Sequence, residues 1–198
     1  MMKHRSYRQS LQTTRFGTLF VAGIAAVTCL VAAPSQASAA PRGAYDRLLA
    51  PRTACAGQLS EQASTAIQKR AMACLIGYAR ARSGVRSVGS SLALNRSAQR
   101  KAGEIARCQQ FSHTACGRAF DYWIRSYRYS GHRWGENIAW GSMSGSRATP
   151  RAIMRAWLYS DAHRINMLNG AFDARGIGLV RSNFQGMPSS VWVQHFGG

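Results

Sequence analysis

Apolar residues recur along this chain with two different periods. From residue 60 to about 82, Ile67, Ala71, Cys74, Leu75 and Tyr78 fall three and four positions apart, which gives a helix one apolar face. Ser60 predicts the cap, Glu61 occupies the first turn where the helix dipole favours an anion, and Ser83-Gly84 predicts the stop. Asn95 predicts the cap of a second helix, with Leu94, Ala98, Ala102 and Ile105 on its inner face. A short third helix is predicted over 118–127 from Phe120, Trp123, Ile124 and Tyr127. The fourth has the clearest start: Thr149 caps, Pro150 takes the first helical position, and Ile153, Met154, Trp157 and Leu158 form the stripe. Further on the period shortens to two. Residues 176–181 and 191–196 alternate and are β-prone, and the turn-rich stretch 183–188 between them predicts a hairpin. Helices early, strands late and no βαβ alternation predict an α+β fold.

The first forty residues have a different pattern. Lys3, Arg5, Arg8 and Arg15 precede an apolar run over 17–33, and Ala-Ser-Ala-Ala follows at 37–40. A basic start, an apolar middle and small residues at the end predict an export signal over 1–39, cleaved after Ala39. A transmembrane anchor is the alternative, but the run is at the short limit for spanning and contains Gly17, Gly23 and Thr28. Cys29 lies within it, after Ala26-Val27-Thr28, a poor context for lipid attachment. After cleavage the protein is not expected to be an integral membrane protein. Residues 40–58, with Pro41 and Pro51, are expected to form a loose lead-in tied down at Cys55, and 59–198 the domain.

Charge alters the picture less than its size suggests. The 198 residues hold 26 Lys+Arg against 7 Asp+Glu, for a net charge of +19. Losing residues 1–39 removes four basic residues and no acid, which leaves +15. The arginines are scattered. Their densest clusters are Arg80, Arg82 and Arg86, then Arg125, Arg128 and Arg133. Scattering and the absence of a recognised motif argue for a solvated basic surface, with no specific nucleic-acid recognition. A hydrophobic fraction of 46% with five Trp excludes a disordered basic tail. Export leaves Cys55, Cys74, Cys108 and Cys116, an even set without a CxxC pair. Three pairings are possible, and nearness in sequence favours Cys55–Cys74 and Cys108–Cys116.

Three segments carry candidate chemistry: Phe111-Ser112-His113, the run 135–141 (GENIAWG), and 157–168 with Ser160, His163 and Asn166. Two imidazoles and a carboxylate, if they converge, would suit a divalent metal or acid–base work. In this order the segments resemble the CAP superfamily, also called the SCP domain: the cysteine-rich secretory, antigen-five and pathogenesis-related proteins. They are most similar to its bacterial secreted branch. Cys74-Leu-Ile with Arg80 and Gly84, the run 94–106, Gly176-Ile-Gly178 and the closing 192–197 fit as well, so the resemblance covers about residues 70–198.

The resemblance implies an α–β–α sandwich around a central antiparallel sheet, with a cleft of two His and two acids. His113 matches the first His, Glu136 the Glu of the GEN motif and His163 the second His. Ser160 stands where the second acid is expected, as is usual in the bacterial branch, which puts any two-carboxylate mechanism in doubt. Asp161 is adjacent but would point elsewhere on a helix. Asn137, Asn166 and Trp157 are expected to be structural supports. His132 is expected in an exposed loop, and His195 on an exposed face of the last strand. His163 is expected after a helix end, near its C-terminal dipole.

Three functions follow from these residues. The first is a secreted module without established catalysis that binds a ligand at His113, Glu136, Ser160 and His163. The ligand would be a lipid or an anionic cell-envelope polymer, held with or without a divalent cation such as zinc on His113 and His163. The second is a metal-assisted hydrolase with Glu136 as base, which would have two His where three protein ligands are usual. The third is an extracellular polyanion binder.

Overall fold

In the computed structural model, residues 43–198 are described, so the predicted export signal and Cys29 lie outside the described residues. The elements are helix α1 (Thr65–Arg82), strand β1 (Gly89–Ser90), α2 (Leu92–Cys108), α3 (Tyr122–Ser126), β2 (Trp134–Ser142), α4 (Pro150–Leu158), α5 (Asp161–Leu168), β3 (Ala174–Phe184) and β4 (Met187–Gly197). The sheet order is β1-β3-β4-β2. β4 pairs antiparallel with both neighbours, while the short β1 runs parallel to β3. The predicted hairpin is β3–β4, longer at both ends than the alternation alone marks, and its two-residue turn is Gln185-Gly186.

The sheet separates two apolar layers, the sandwich that the resemblance implies. On one face, Ile177, Leu179, Trp192 and Phe196 pack with α1, α4 and α5 through Met72, Leu75, Ile76, Met154, Trp157 and Met167. On the other, Ile138, Phe184, Val191 and Val193 pack with α2 through Ala98, Ala102 and Ile105. α2 lies close because β3 presents glycines to it. A Cβ on Gly176 would fall 2.0 Å from the Leu94 carbonyl carbon, and one on Gly178 2.1 Å from Ala98 O. Both sit on the β3 face that α2 covers, and side chains there would lift the helix off the sheet.

Several starts and one whole element differ from the sequence reading. α1 is capped by Ser64, whose Oγ accepts from Ile67 N at 3.3 Å. Ser60 caps a separate turn before it, and Gln68 Nε2 spans the carbonyls of Ser60, Glu61 and Ala63. α2 is capped by Ser91; Asn95 lies inside the helix and its Oδ1 accepts from Ile177 N of β3. β2 carries no alternation because it is covered on both faces, so the GENIAWG run does not read as a strand.

Part of the segment read as a lead-in is packed: Leu48, Leu49 and Ala50 are buried in the first layer with Cys55. The disulfides are Cys55–Cys74 and Cys108–Cys116. Arg80 is no surface arginine. It is fully buried and its guanidinium donates to the carbonyls of Arg86, Met167, Asn169 and Phe172. It thereby ties the end of α1 to the turn that follows α5. Among the described residues, no helix is long and apolar enough to cross a membrane.

Candidate functional site

The site forms at the first residues of β2. Because β2 is an edge strand, a loop from one face and a helix from the other can both reach it. Successive side chains alternate along a strand. Glu136 therefore turns toward α2, and Asn137 toward α5.

Glu136 is 6% exposed. Its Oε1 accepts from His113 Nδ1 at 2.7 Å and its Oε2 from His195 Nε2 at 2.8 Å. A carboxylate can only accept, so each of those ring nitrogens carries a hydrogen. Burial works against the charge of this carboxylate. The hydrogen bonds from His113 and His195, with the charges of His195 and Lys101, outweigh burial and hold the carboxyl below its usual range.

His195 is the residue that sequence reasoning placed wrongly. It lies on no exposed strand face; it is fully buried and sits directly across from Glu136 in the β2–β4 register. Its Nδ1 is 2.7 Å from Ser97 Oγ of α2, and that hydroxyl donates to Leu94 O at 2.9 Å. Ser97 therefore holds one edge of the His195 ring while Glu136 holds the other. The missing signal was the strand β2: without it, nothing in the sequence sets Glu136 opposite His195.

His113 is held twice. Lys101, fully buried on α2, donates from Nζ to His113 O at 2.6 Å, and Glu136 holds the ring. The Cys108–Cys116 disulfide closes the loop between α2 and this residue. The His113 side chain is half exposed, and its Nε2 has no hydrogen bond among the described residues. The sequence reading singled out neither Lys101 nor Ser97. Both sit on the buried face of α2, four residues apart.

On the α5 side, Ser160 Oγ lies 2.8 Å from His163 Nδ1. Ser160 is the residue before α5 and its side chain makes no cap, so the hydroxyl is turned to the ring. His163 stands in the first turn of α5, which reverses the expectation of a C-terminal dipole, because the chain breaks at Tyr159-Ser160 and starts a new helix. Burial, and then the nearby charge of His113, push the His163 imidazole below its usual value. The Trp157 ring lies 6.4 Å from the His163 ring and donates its indole hydrogen to Ile138 O. Asp161 points outward to Arg164 at 2.6 Å, as expected.

A set of amides fixes α5 against β2. Asn137 Nδ2 donates to His163 O at 3.1 Å and to Gln194 Oε1 at 2.9 Å. Asn166 Nδ2 donates to Glu136 O at 3.2 Å and Asn137 Oδ1 at 2.9 Å. Gly135 leaves the room: a Cβ there would stand 3.0 Å from Asn166 Oδ1. Asn137 and Asn166 are thus supports, though they join two elements and do not close a turn.

The donors poorly fit a metal. Both Glu136 oxygens are engaged by imidazoles, and among the described residues no group of three or more His, Cys, Asp or Glu side chains is placed to hold an ion. His113 and His163 alone fall short of the three protein ligands usual for catalytic zinc. Glu136 is buried and bonded to two rings, and it orients His113. Ser160 has a histidine beside it, but no carboxylate orients that ring. A groove of about 630 Å³ at the other end of β2, between Trp140, Arg147 and Met187, contains none of these residues.

The chain is similar to known proteins. The model of the cysteine-rich secretory protein (CAP) family matches residues 75–196, well over half of the chain. The uncharacterised protein YkwD of Bacillus subtilis is 30% identical over 139 residues, 69% of this chain and 49% of that protein. The chain thus spans about half the length of the curated relative it matches. An outer surface protein of Borrelia burgdorferi superposes with a TM-score of 0.57 at 21% identity, covering 68% of this chain and 95% of that one. An extracellular SCP-domain protein of Bacillus anthracis does so with 0.54 at 20% identity, covering 70% and 45%. At such identities the two structures bear on the fold alone, and they agree with the two-layered sheet seen here. With the ordered motifs, the fold and the family match in accord, this chain belongs to the CAP family of cysteine-rich secretory proteins.

Proposed function

We propose that this protein is an exported ligand-binding module of the bacterial cell envelope, and that its recognition element is the imidazole pair His113 and His163 with Ser160. One observation carries the reading: both oxygens of the only carboxylate at the site are spent inside the fold, on His113 and His195. A buried carboxylate that bonds two rings is better placed to orient them than to act as a base or metal ligand. What remains facing solvent is His113 Nε2 beside a second, half-buried imidazole and a hydroxyl. Such a set donates and accepts hydrogen bonds, and in a strongly basic chain it suits an acidic group on an envelope polymer. Export rests on the basic-apolar-small pattern of residues 1–39.

Co-sedimentation of the mature protein with purified peptidoglycan sacculi tests the reading, with anionic phospholipid vesicles as the lipid arm. Binding to sacculi that falls at least about tenfold in a His113→Ala, His163→Ala double variant, without release of soluble fragments, is the expected result. Fragment release that depends on His113 or Glu136 would replace binding by hydrolysis. Retention by vesicles alone would move the ligand to lipid.

A further inference from the structure

A second place in the molecule offers polar groups that nothing within it satisfies. It is a groove of about 500 Å³ along the outer face of α2, bounded by Gln99, Arg100, Glu104, Arg107, Arg118 and Trp123. Glu104 is 4% exposed. One of its carboxylate oxygens is paired with Arg118, and the other, Oε2, is buried with no partner among the described residues. The indole nitrogen of Trp123 is likewise buried and unpartnered. Both residues converge on Arg118, whose guanidinium lies 5.5 Å from the Trp123 ring centre. Arg100 stands 4.9 Å from the same ring. Arg100 and Arg107 are exposed and make no ion pair among the described residues.

These groups state what would complete them. An indole N–H needs an acceptor and a carboxylate oxygen needs a donor, and hydroxyl groups supply both. The exposed guanidiniums of Arg100 and Arg107 need an anion, and their forked donors suit a planar carboxylate or a phosphate. An unsatisfied buried donor and acceptor are costly enough that a partner is expected there. We infer that this groove is a binding site for an acidic sugar unit. Its acid group lies between Arg100 and Arg107, and its hydroxyls meet Trp123 Nε1 and Glu104 Oε2. The site is separate in residues from the His113–His163 pair and does not depend on the function proposed for it. The scattered arginines of the sequence thus include one organised pair.

The probe is an alginate hexamer, a chain of uronic acids, titrated calorimetrically into the mature protein, with linear polyphosphate of matched charge and neutral maltohexaose as controls. The expected order is alginate above polyphosphate, with no maltohexaose binding. Arg100→Ala with Arg107→Ala weakens alginate binding by about tenfold or more while the fold is kept, with a small fall in thermal midpoint from the lost Arg100–Trp123 and Arg107–Cys116 contacts. Trp123→Phe, which keeps an aromatic ring and removes the N–H, weakens it severalfold and leaves polyphosphate unaffected. His113→Ala with His163→Ala leaves alginate binding at this groove unchanged, so failure here and failure of the imidazole site are told apart. Alginate binding that survives the double arginine variant, or is lost only in the histidine variant, overturns the site. Equal affinity for polyphosphate, or no effect of Trp123→Phe, overturns the hydroxyl contact and with it the sugar.

Discussion

The two imidazoles of the candidate site are held very differently. His113 belongs to a chain of groups that runs inward: its ring bonds Glu136, Glu136 bonds His195, and His195 bonds Ser97 on α2. Three of those four side chains are buried. His163 has one ring contact, a half-buried serine, and is otherwise fixed through its backbone carbonyl by Asn137. The difference shows where the fold invests its scarce acid. With seven carboxylates against 26 basic residues, two are placed in the interior, Glu104 and Glu136, and the second braces one histidine and leaves the other adjustable.

Breaking the braced side should cost most. Glu136→Ala removes the acceptor of both the His113 ring and the fully buried His195 ring, and a hydrogen bond to a charged group contributes about 1.5–3 kcal/mol. Urea unfolding should show a loss at or above that range, and a loss under about 1 kcal/mol would mean that the carboxylate does not brace the rings. His195→Ala is next. It strips a partner from Glu136 Oε2 and from Ser97 Oγ, and each buried group left unsatisfied costs about 1–3 kcal/mol. The same variant should broaden or shift the His113 NMR signals although the two rings do not touch.

Acid sharpens the contrast further. The Glu136 carboxyl is held below its usual range, so its contribution is complete above the unfolded value of about 4.5 and is lost as pH falls through the lower folded value. A Glu136→Gln variant should lose that part of the stability slope below about pH 4.5. His163 is also depressed, and its contribution is present above about pH 6.5 and fades as pH drops further. Because this ring is half exposed, its slope below about pH 6.5 should be shallow, and His163→Asn should flatten it. The smallest effect belongs to Ser160→Ala, about 0.5 kcal/mol or less, since a partly solvated hydroxyl pair contributes little. A larger loss would show that the adjustable side is braced as well.

The same contrast marks what was legible in the sequence. The hairpin, the Thr149–Pro150 helix start, both disulfides and the α+β class could be read, because local periodicity and cysteine arithmetic carry them; the layering of helices on both faces of the sheet came from the family resemblance. His113, Glu136, Ser160 and His163 could be marked through the family resemblance. The brace could not. Lys101 and Ser97 are polar residues on a buried helix face, where the apolar stripe gives no cue. His195 took its role from a register with β2, a strand hidden by burial on both faces. Arg80 read as surface charge because a buried guanidinium satisfied by four carbonyls has no local signature. Asn95 and Ser60 looked like caps because capping residues also clamp neighbouring elements.

The central claim is that Glu136 is committed to the histidines. The most direct test is the ring-nitrogen chemical shifts of the 15N-labelled protein near neutral pH. The structure predicts that His113 carries its hydrogen on Nδ1 and His195 on Nε2, each coupled to the Glu136 carboxylate, and that both assignments relax in Glu136→Gln. A bare Nδ1 on His113, with its hydrogen on Nε2, would contradict the account and return Glu136 to the cleft as a free carboxylate.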